Sequence, residues 1–271
     1  MSEEDVREET DHLHRAYMRR RKLQRTAIIL TQGVILIAAL GLWEVGASAG
    51  WFNDFLTSQP SKMWALALRM LRDGSLLHHT TVTFVETMLG FAAGAILGVL
   101  VAVLLWWSPF VARVLDPYLV VANSTPKIAL GPIFYVWLGD SLSVYGMALS
   151  ISVIVTIMMV YTGFRDVDPN RVKLLRTFGA NKGQILRKVV FPASVPTIMS
   201  SIKVNISLTL IGVIVGEFIS SSAGLGYLII YGGQVFRMDL VMLSVVVLMI
   251  KSALLYVLIH ALEVRFLAWK E

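Results

Sequence analysis

Cysteine is absent from the 271 residues, and charged side chains make up only 15% of them. The first absence excludes disulfides, thiolate metal sites and a cysteine nucleophile. The second, set beside 56% hydrophobic residues and a mean hydropathy of +0.70, excludes a soluble globular domain and implies a polytopic membrane chain. No glycine leads into Lys-Ser or Lys-Thr as a phosphate-cradling loop requires; Gly179 leads only to Asn181-Lys182-Gly183-Gln184, so the chain is not expected to bind ATP itself. A Gly-x-Ser-x-Gly elbow and a zinc-protease histidine pair are also missing. His78 and His79 are adjacent, hence about 100° apart on a helix, which suits a polar loop end better than a shared metal. No catalytic residue, metal ligand or cofactor is expected, and an enzyme is left without a reaction centre.

What is present is a series of apolar runs. Stretches long enough to cross about 30 Å of hydrocarbon fall at 27–47, 82–107, 144–164, 198–220 and 240–262, and a weaker one at 117–138. The weaker run contains Pro126, Lys127 and Pro132, which predicts a broken helix facing protein or a cavity. The expected fold is therefore all-α, with six transmembrane helices and both termini on one side. Lysine and arginine number 17 on the side holding residues 1–26, 108–114, 164–197 and 263–271, against only Lys62, Arg69, Arg72 and Arg237 opposite. That bias assigns the richer side to the cytoplasm and accounts for the net charge of +6 without nucleic acid. The chain reads as a cytoplasmic N-terminal tail or surface helix at 1–26, a membrane domain at 27–265 and a tail at 266–271. Ala47-Ser48-Ala49 resembles a cleavage site, but the preceding apolar stretch exceeds a signal-peptide core and is read as a retained span.

The cytoplasmic loop at 164–197 carries the sharpest local signal. Asp168 suits an N-cap with Pro169 at the first helical position, followed by Val172, Leu174, Leu175 and Phe178 on one side and Arg171, Lys173 and Arg176 opposite. Gly179 should end this helix in a left-handed corner, preceding Ala180. A second short helix should start at Asn181, with Gln184 as capping-box partner, Ile185, Leu186, Val189 and Val190 as its apolar set, and Pro192 as its stop. Such a knuckle cannot bury its own apolar face, so it is expected to insert that face into something else.

Gly179, nine residues, then Val189-Val190-Phe191-Pro192 resembles the EAA loop of bacterial ATP-binding cassette importer permeases, Glu-Ala-Ala, three residues, Gly, nine residues, Ile-x-Leu-Pro. The glycine-to-proline register matches, whereas Lys173, Leu174 and Leu175 occupy the Glu-Ala-Ala positions. Asn123-Ser124-Thr125-Pro126-Lys127-Ile128-Ala129-Leu130-Gly131-Pro132, Trp137-Leu138-Gly139, and Gly216-Glu217-Phe218 followed by Gly224-Leu225-Gly226-Tyr227 are similar to the nitrate, sulfonate and taurine branch of that family. The resemblance implies a type I importer half in the bacterial inner membrane. It implies a second permease copy forming a homodimer, two ATPase subunits docked on the cytoplasmic coupling helices, and an external substrate-binding protein. The implied coupling residues are Val172, Lys173, Leu174, Leu175, Arg176, Phe178, Gly179, Ala180, Asn181, Lys182, Ile185 and Pro192. The implied cargo is a small anion such as nitrate, a sulfonate or taurine. Importers of thiamine precursors and riboflavin are similar to the same branch, which keeps a small ring compound open.

Ionisable residues within the spans mark a pathway or a structural pair, because each costs about 2.5–3.5 kcal/mol near the bilayer centre. Lys127 and Lys251 should face the bundle interior, either lining a route for an anion or pairing with Glu86, Glu217 or carbonyls freed at the proline break. Gly90, Gly94 and Gly98 share one helix face, which permits close packing within a subunit or between two. No internal repeat supports a secondary transporter.

Overall fold

The computed structural model describes residues 3–51 and 57–267, so the expected C-terminal tail falls from residue 268 onward outside the described residues. The chain divides into two units, Met1–Trp64 and Ala65–Glu271.

In the first unit, α1 runs from Glu3 to Ser48, a length of roughly 69 Å at 1.5 Å per residue. It passes from the expected tail into the expected span without a break. Glu44 near its end accepts hydrogen bonds from the Ser61 backbone N–H (3.0 Å) and the Ser61 hydroxyl (2.7 Å). Ser61 is the second residue of α2 (Pro60–Arg72), so a carboxylate sits where the first-turn amides of a helix lack partners and the dipole favours an anion.

The second unit contains α3 (Ser75–Trp107), α4 (Pro109–Ser124), a 3-10 turn (Lys127–Leu130) and α5 (Gly131–Arg165). There follow α6 (Pro169–Thr177), α7 (Lys182–Ile185), a π-turn (Leu186–Val190), α8 (Phe191–Ser220), α9 (Leu225–Gln234) and α10 (Met238–Leu267). Among the described residues five helical stretches are long and apolar enough to cross a membrane: 17–48, 75–107, 127–165, 182–220 and 238–265. The run at 117–138 is divided among α4, the 3-10 turn and the start of α5. Pro126 has no N–H and holds Thr125 in extended backbone (φ −66°, ψ 134°). The 16 residues of α4 reach roughly 24 Å, short of the hydrocarbon thickness. A further bend falls at Gly139 (φ 73°, ψ −178°) inside α5.

Small residues let the central helices meet at backbone distance. A Cβ added to Gly212 of α8 would stand 2.6 Å from Ala148 Cα of α5, and one on Gly216 would stand 2.7 Å from Val144 Cα. Gly90, Gly94 and Gly98 of α3 are buried against Ala148, Ser152 and Thr156 of α5. Their face is therefore used inside the subunit. Between these helices Asn205 Nδ2 donates to Thr156 Oγ1 (2.5 Å) and Thr209 Oγ1 donates to Asn205 Oδ1 (2.9 Å), so the buried amide is held from two sides. Gly212→Ala is expected to lower stability by about 1–3 kcal/mol through overpacking. Gly33→Ala, where nothing lies within 4 Å of the added Cβ, should be neutral or slightly stabilising. Thermal melting of the purified proteins in detergent checks the pair, and equal melting temperatures would refute the close-approach argument.

Candidate functional site

The loop between α5 and α8 is built from local caps. Asp168 accepts from the Asn170 N–H (2.8 Å) and Pro169 occupies the first turn of α6. At the other end the Gly179 N–H donates to Arg176 O (2.9 Å) and the Ala180 N–H to Leu175 O (3.0 Å), with Gly179 at φ +76°. These two bonds form a Schellman stop. Two residues on, Gln184 N–H donates to Asn181 Oδ1 (2.9 Å) and Asn181 N–H to Gln184 Oε1 (2.8 Å), a reciprocal capping box. The corner is fixed on both sides of its glycine.

The apolar side expected of α6 divides in two. Val172, Leu175 and Ala180 pack with Ile185, Leu186 and Val190 against Ala102, Val160 and Phe164 at the ends of α3 and α5. Leu174 and Phe178 instead remain 54% and 79% exposed. Arg171, Lys173 and Arg176 are exposed beside them, and none is in an ion pair among the described residues. Lys182 turns inward: its Nζ donates to Trp107 O at the end of α3 and lies 5.8 Å from the Trp107 ring centroid.

Pro192 does not stop the second helix. The π-turn at Leu186–Val190 leads directly into α8, with the Phe191 N–H donating to Leu186 O five residues back. A turn widened in this way leaves room for a proline ring and for its missing N–H, so the expected short second helix is the first turn of a stretch running to Ser220.

A second group of ionisable side chains lies between α3, α8, α9 and α10. Glu217 is 1% exposed, and its Oε2 accepts from the Gly226 N–H (2.5 Å). The two preceding amides of α9 are satisfied from α3: Leu225 N–H donates to Thr83 Oγ1 (2.8 Å) and Gly224 N–H to His79 Nδ1 (3.1 Å). Gly224 (φ +111°) and Gly226 are pressed against the Glu217 carboxyl, where a Cβ on Gly226 would come within 2.7 Å of Oε2. The glycines of Gly224-Leu225-Gly226 thus admit a carboxylate to a helix N-terminus. Lys251, 6% exposed, is within electrostatic reach of both Glu217 and Glu86. It also stands 5.8 Å from the Phe84 ring centroid. Lys127 is remote from this cluster in sequence and bonding; its Nζ donates to Asn123 O (2.8 Å), a carbonyl released where α4 ends before Pro126.

Residues 94–267 match the family model of the binding-protein-dependent transport system inner membrane component. The chain belongs to that family. This inner membrane component is 32% identical over 253 residues to a probable ABC transporter permease protein of Haemophilus influenzae, covering 91% of this chain and 98% of the relative. It is 25% identical to the putative aliphatic sulfonates transport permease protein SsuC of Bacillus subtilis, over 88% of this chain and 87% of that one. It is 26% identical to the formylaminopyrimidine transport permease protein ThiX of Halalkalibacterium halodurans, over 76% and 82%. Its fold is similar to that of inward-facing structures of the MetNI methionine ABC transporter, with a TM-score of 0.57 at 20% identity over 75% of this chain and 97% of that chain. The permease is a transport subunit and not an enzyme.

Sequence reasoning about this permease missed the capping of α9 by α3. The signal was there: His79, Thr83 and Glu86 recur at i, i+4 and i+7, one face of a helix.

Proposed function

We propose that this chain forms the translocation pathway of an importer as one of two identical permease subunits. Two ATPase subunits engage the loop at 164–197, an extracytoplasmic binding protein delivers a small cargo, and both termini lie in the cytoplasm. The observation that carries the reading is the exposed pair Leu174 and Phe178, flanked by Arg171, Lys173 and Arg176 on a corner fixed by Gly179, Ala180 and Asn181. An apolar pair ringed by bases suits a hydrophobic cleft with an acidic rim on a partner. Val172, Leu175, Ile185 and Pro192 serve the same coupling from the inner side. They tie the corner to α3, α5 and α8, so that movement of the ATPases is passed to the spans. Lys182 strengthens that tie through Trp107.

For the cargo, likeness to the sulfonate permease supports a small anion, with Lys127 as the pathway cation. A second reading, an uncharged ring compound as the name of the formylaminopyrimidine relative suggests, is favoured by one observation. Lys251 is only 6% exposed and has Glu217 and Glu86 as its charged neighbours, which offsets its attraction for an anion. Reconstitution of permease, ATPase and binding protein in liposomes decides the matter. ATP-driven uptake of an alkanesulfonate, slowed by Lys127→Met, supports the anionic cargo; uptake of a pyrimidine with Lys127→Met at the wild-type rate supports the second reading. Absence of ATP-driven uptake of any binding-protein ligand would overturn the proposal. A reporter fused at the C-terminus should be cytoplasmic and one inserted after Asp73 external. An external C-terminus would refute the orientation.

A further inference from the structure

A polar cavity of about 250 Å³ opens between the first turns of α4 and the last turns of α5, lined by Pro109, Ala112, Arg113, Asp116, Tyr161 and Arg165. Its floor is apolar, since Ala112 packs with Leu105 and Ile157. Its walls carry two guanidiniums against one carboxylate. Neither Arg113 nor Arg165 is in an ion pair among the described residues, and Asp116 neutralises neither at contact distance. Arg165 is steadied from one side by the Tyr161 ring, 5.8 Å from its centroid. The N-terminus of α4, capped by Ser108, adds the positive end of a 16-residue helix.

Depth decides what reaches this cavity. α3 ends in Trp106-Trp107, the apolar stretch of α5 ends at Arg165, and Pro109 opens α4. Tryptophan and tyrosine at the ends of spans mark the level of the lipid headgroups. Phosphate diesters are concentrated at that level, and guanidinium forks match their oxygens two by two. We propose that Arg113 and Arg165 hold the phosphate of an anionic phospholipid headgroup in this cavity, with Asp116 limiting affinity and Tyr161 orienting Arg165. The site lies three residues before the Asp168 cap of α6, so an occupied cavity braces the root of the α6 corner. The proposal does not depend on what is transported.

The test is native mass spectrometry of the purified full-length permease titrated with phosphatidylglycerol, phosphatidylcholine or inorganic phosphate. Wild type should retain phosphatidylglycerol in preference to phosphatidylcholine. Arg113→Gln and Arg165→Gln should each weaken that binding about fivefold, and Asp116→Asn should strengthen it. The last variant keeps the test sound if an arginine variant folds poorly, because it removes a charge and leaves both arginines. Phosphatidylglycerol retention unchanged in all three variants overturns the site. Displacement of the lipid by millimolar inorganic phosphate, with the same dependence on the two arginines, overturns the lipid as occupant and assigns the site to soluble phosphate.

Discussion

Gly179→Val is expected to leave the permease inserted in the membrane and to remove most ATP-driven uptake. The glycine stands at φ +76° with nothing within 4 Å of where a Cβ would be, so the penalty is conformational and not steric. Holding a β-branched residue in that region costs about 1–3 kcal/mol. The chain avoids the cost by opening the Schellman turn, which frees Leu175 O and Arg176 O and swings Leu174 and Phe178 out of register. A docking loss of that size corresponds to about 5- to 150-fold in ATPase affinity. Gly179→Asn should do far less, because asparagine tolerates the left-handed region. Pull-down of the ATPase by each variant, together with uptake in liposomes, separates the cases. If the valine variant binds and transports like wild type, the corner has no coupling role.

Lys251→Met should destabilise the permease by about 3–5 kcal/mol, the usual cost of removing one partner from a buried charged group. The reason lies in its surroundings. Glu217 Oε1, Glu86 Oε2 and Lys251 Nζ are all buried without a hydrogen-bond partner, so beyond the Gly226 N–H on Glu217 Oε2 the ammonium is what compensates the two carboxyls. Without the ammonium, two carboxyls face each other. Adding Glu86→Gln to Lys251→Met should restore part of the lost stability, since one of the facing charges is gone. Melting in detergent reads the effect directly. A Lys251→Met protein that melts like wild type and only takes up anions more slowly would return Lys251 to the pathway and refute the cluster.

Local grammar in the sequence was enough to read much of the α6 corner. Asp168, Gly179 and the Asn181–Gln184 box act within four residues, and each stands as its spacing indicated. The division of the α6 face is written in its helical angles. At 100° per residue Val172 and Leu175 are centred roughly 110° from Leu174 and Phe178, too far apart for one buried stripe. The π-turn before Pro192 was not legible, because proline within three residues of a π-turn and proline at a helix stop share the same pattern. The partnership of Glu217 with Glu86, Lys251 and α9 was only half visible. Burial cost predicts that an intramembrane lysine finds a carboxylate, but which one depends on how α3, α8 and α10 are packed. The run at 117–138, expected as a sixth crossing, is not among the five stretches long and apolar enough to span, and it was weak in the sequence for the reason that the structure divides it: Pro126 interrupts the helix.

The widened turn at Leu186–Val190 gives the N-terminal end of α8 one residue more than α-helical winding holds. A π-turn equals one inserted residue, so removing any single residue from it would restore α-helical winding and rotate everything toward Asn181 by about 100° relative to the span. Lys182 would then turn away from the Trp107 carbonyl it now meets. The angular phase of the α6 corner is therefore written in the chain length between Ile185 and Phe191, independently of which side chains fill those positions.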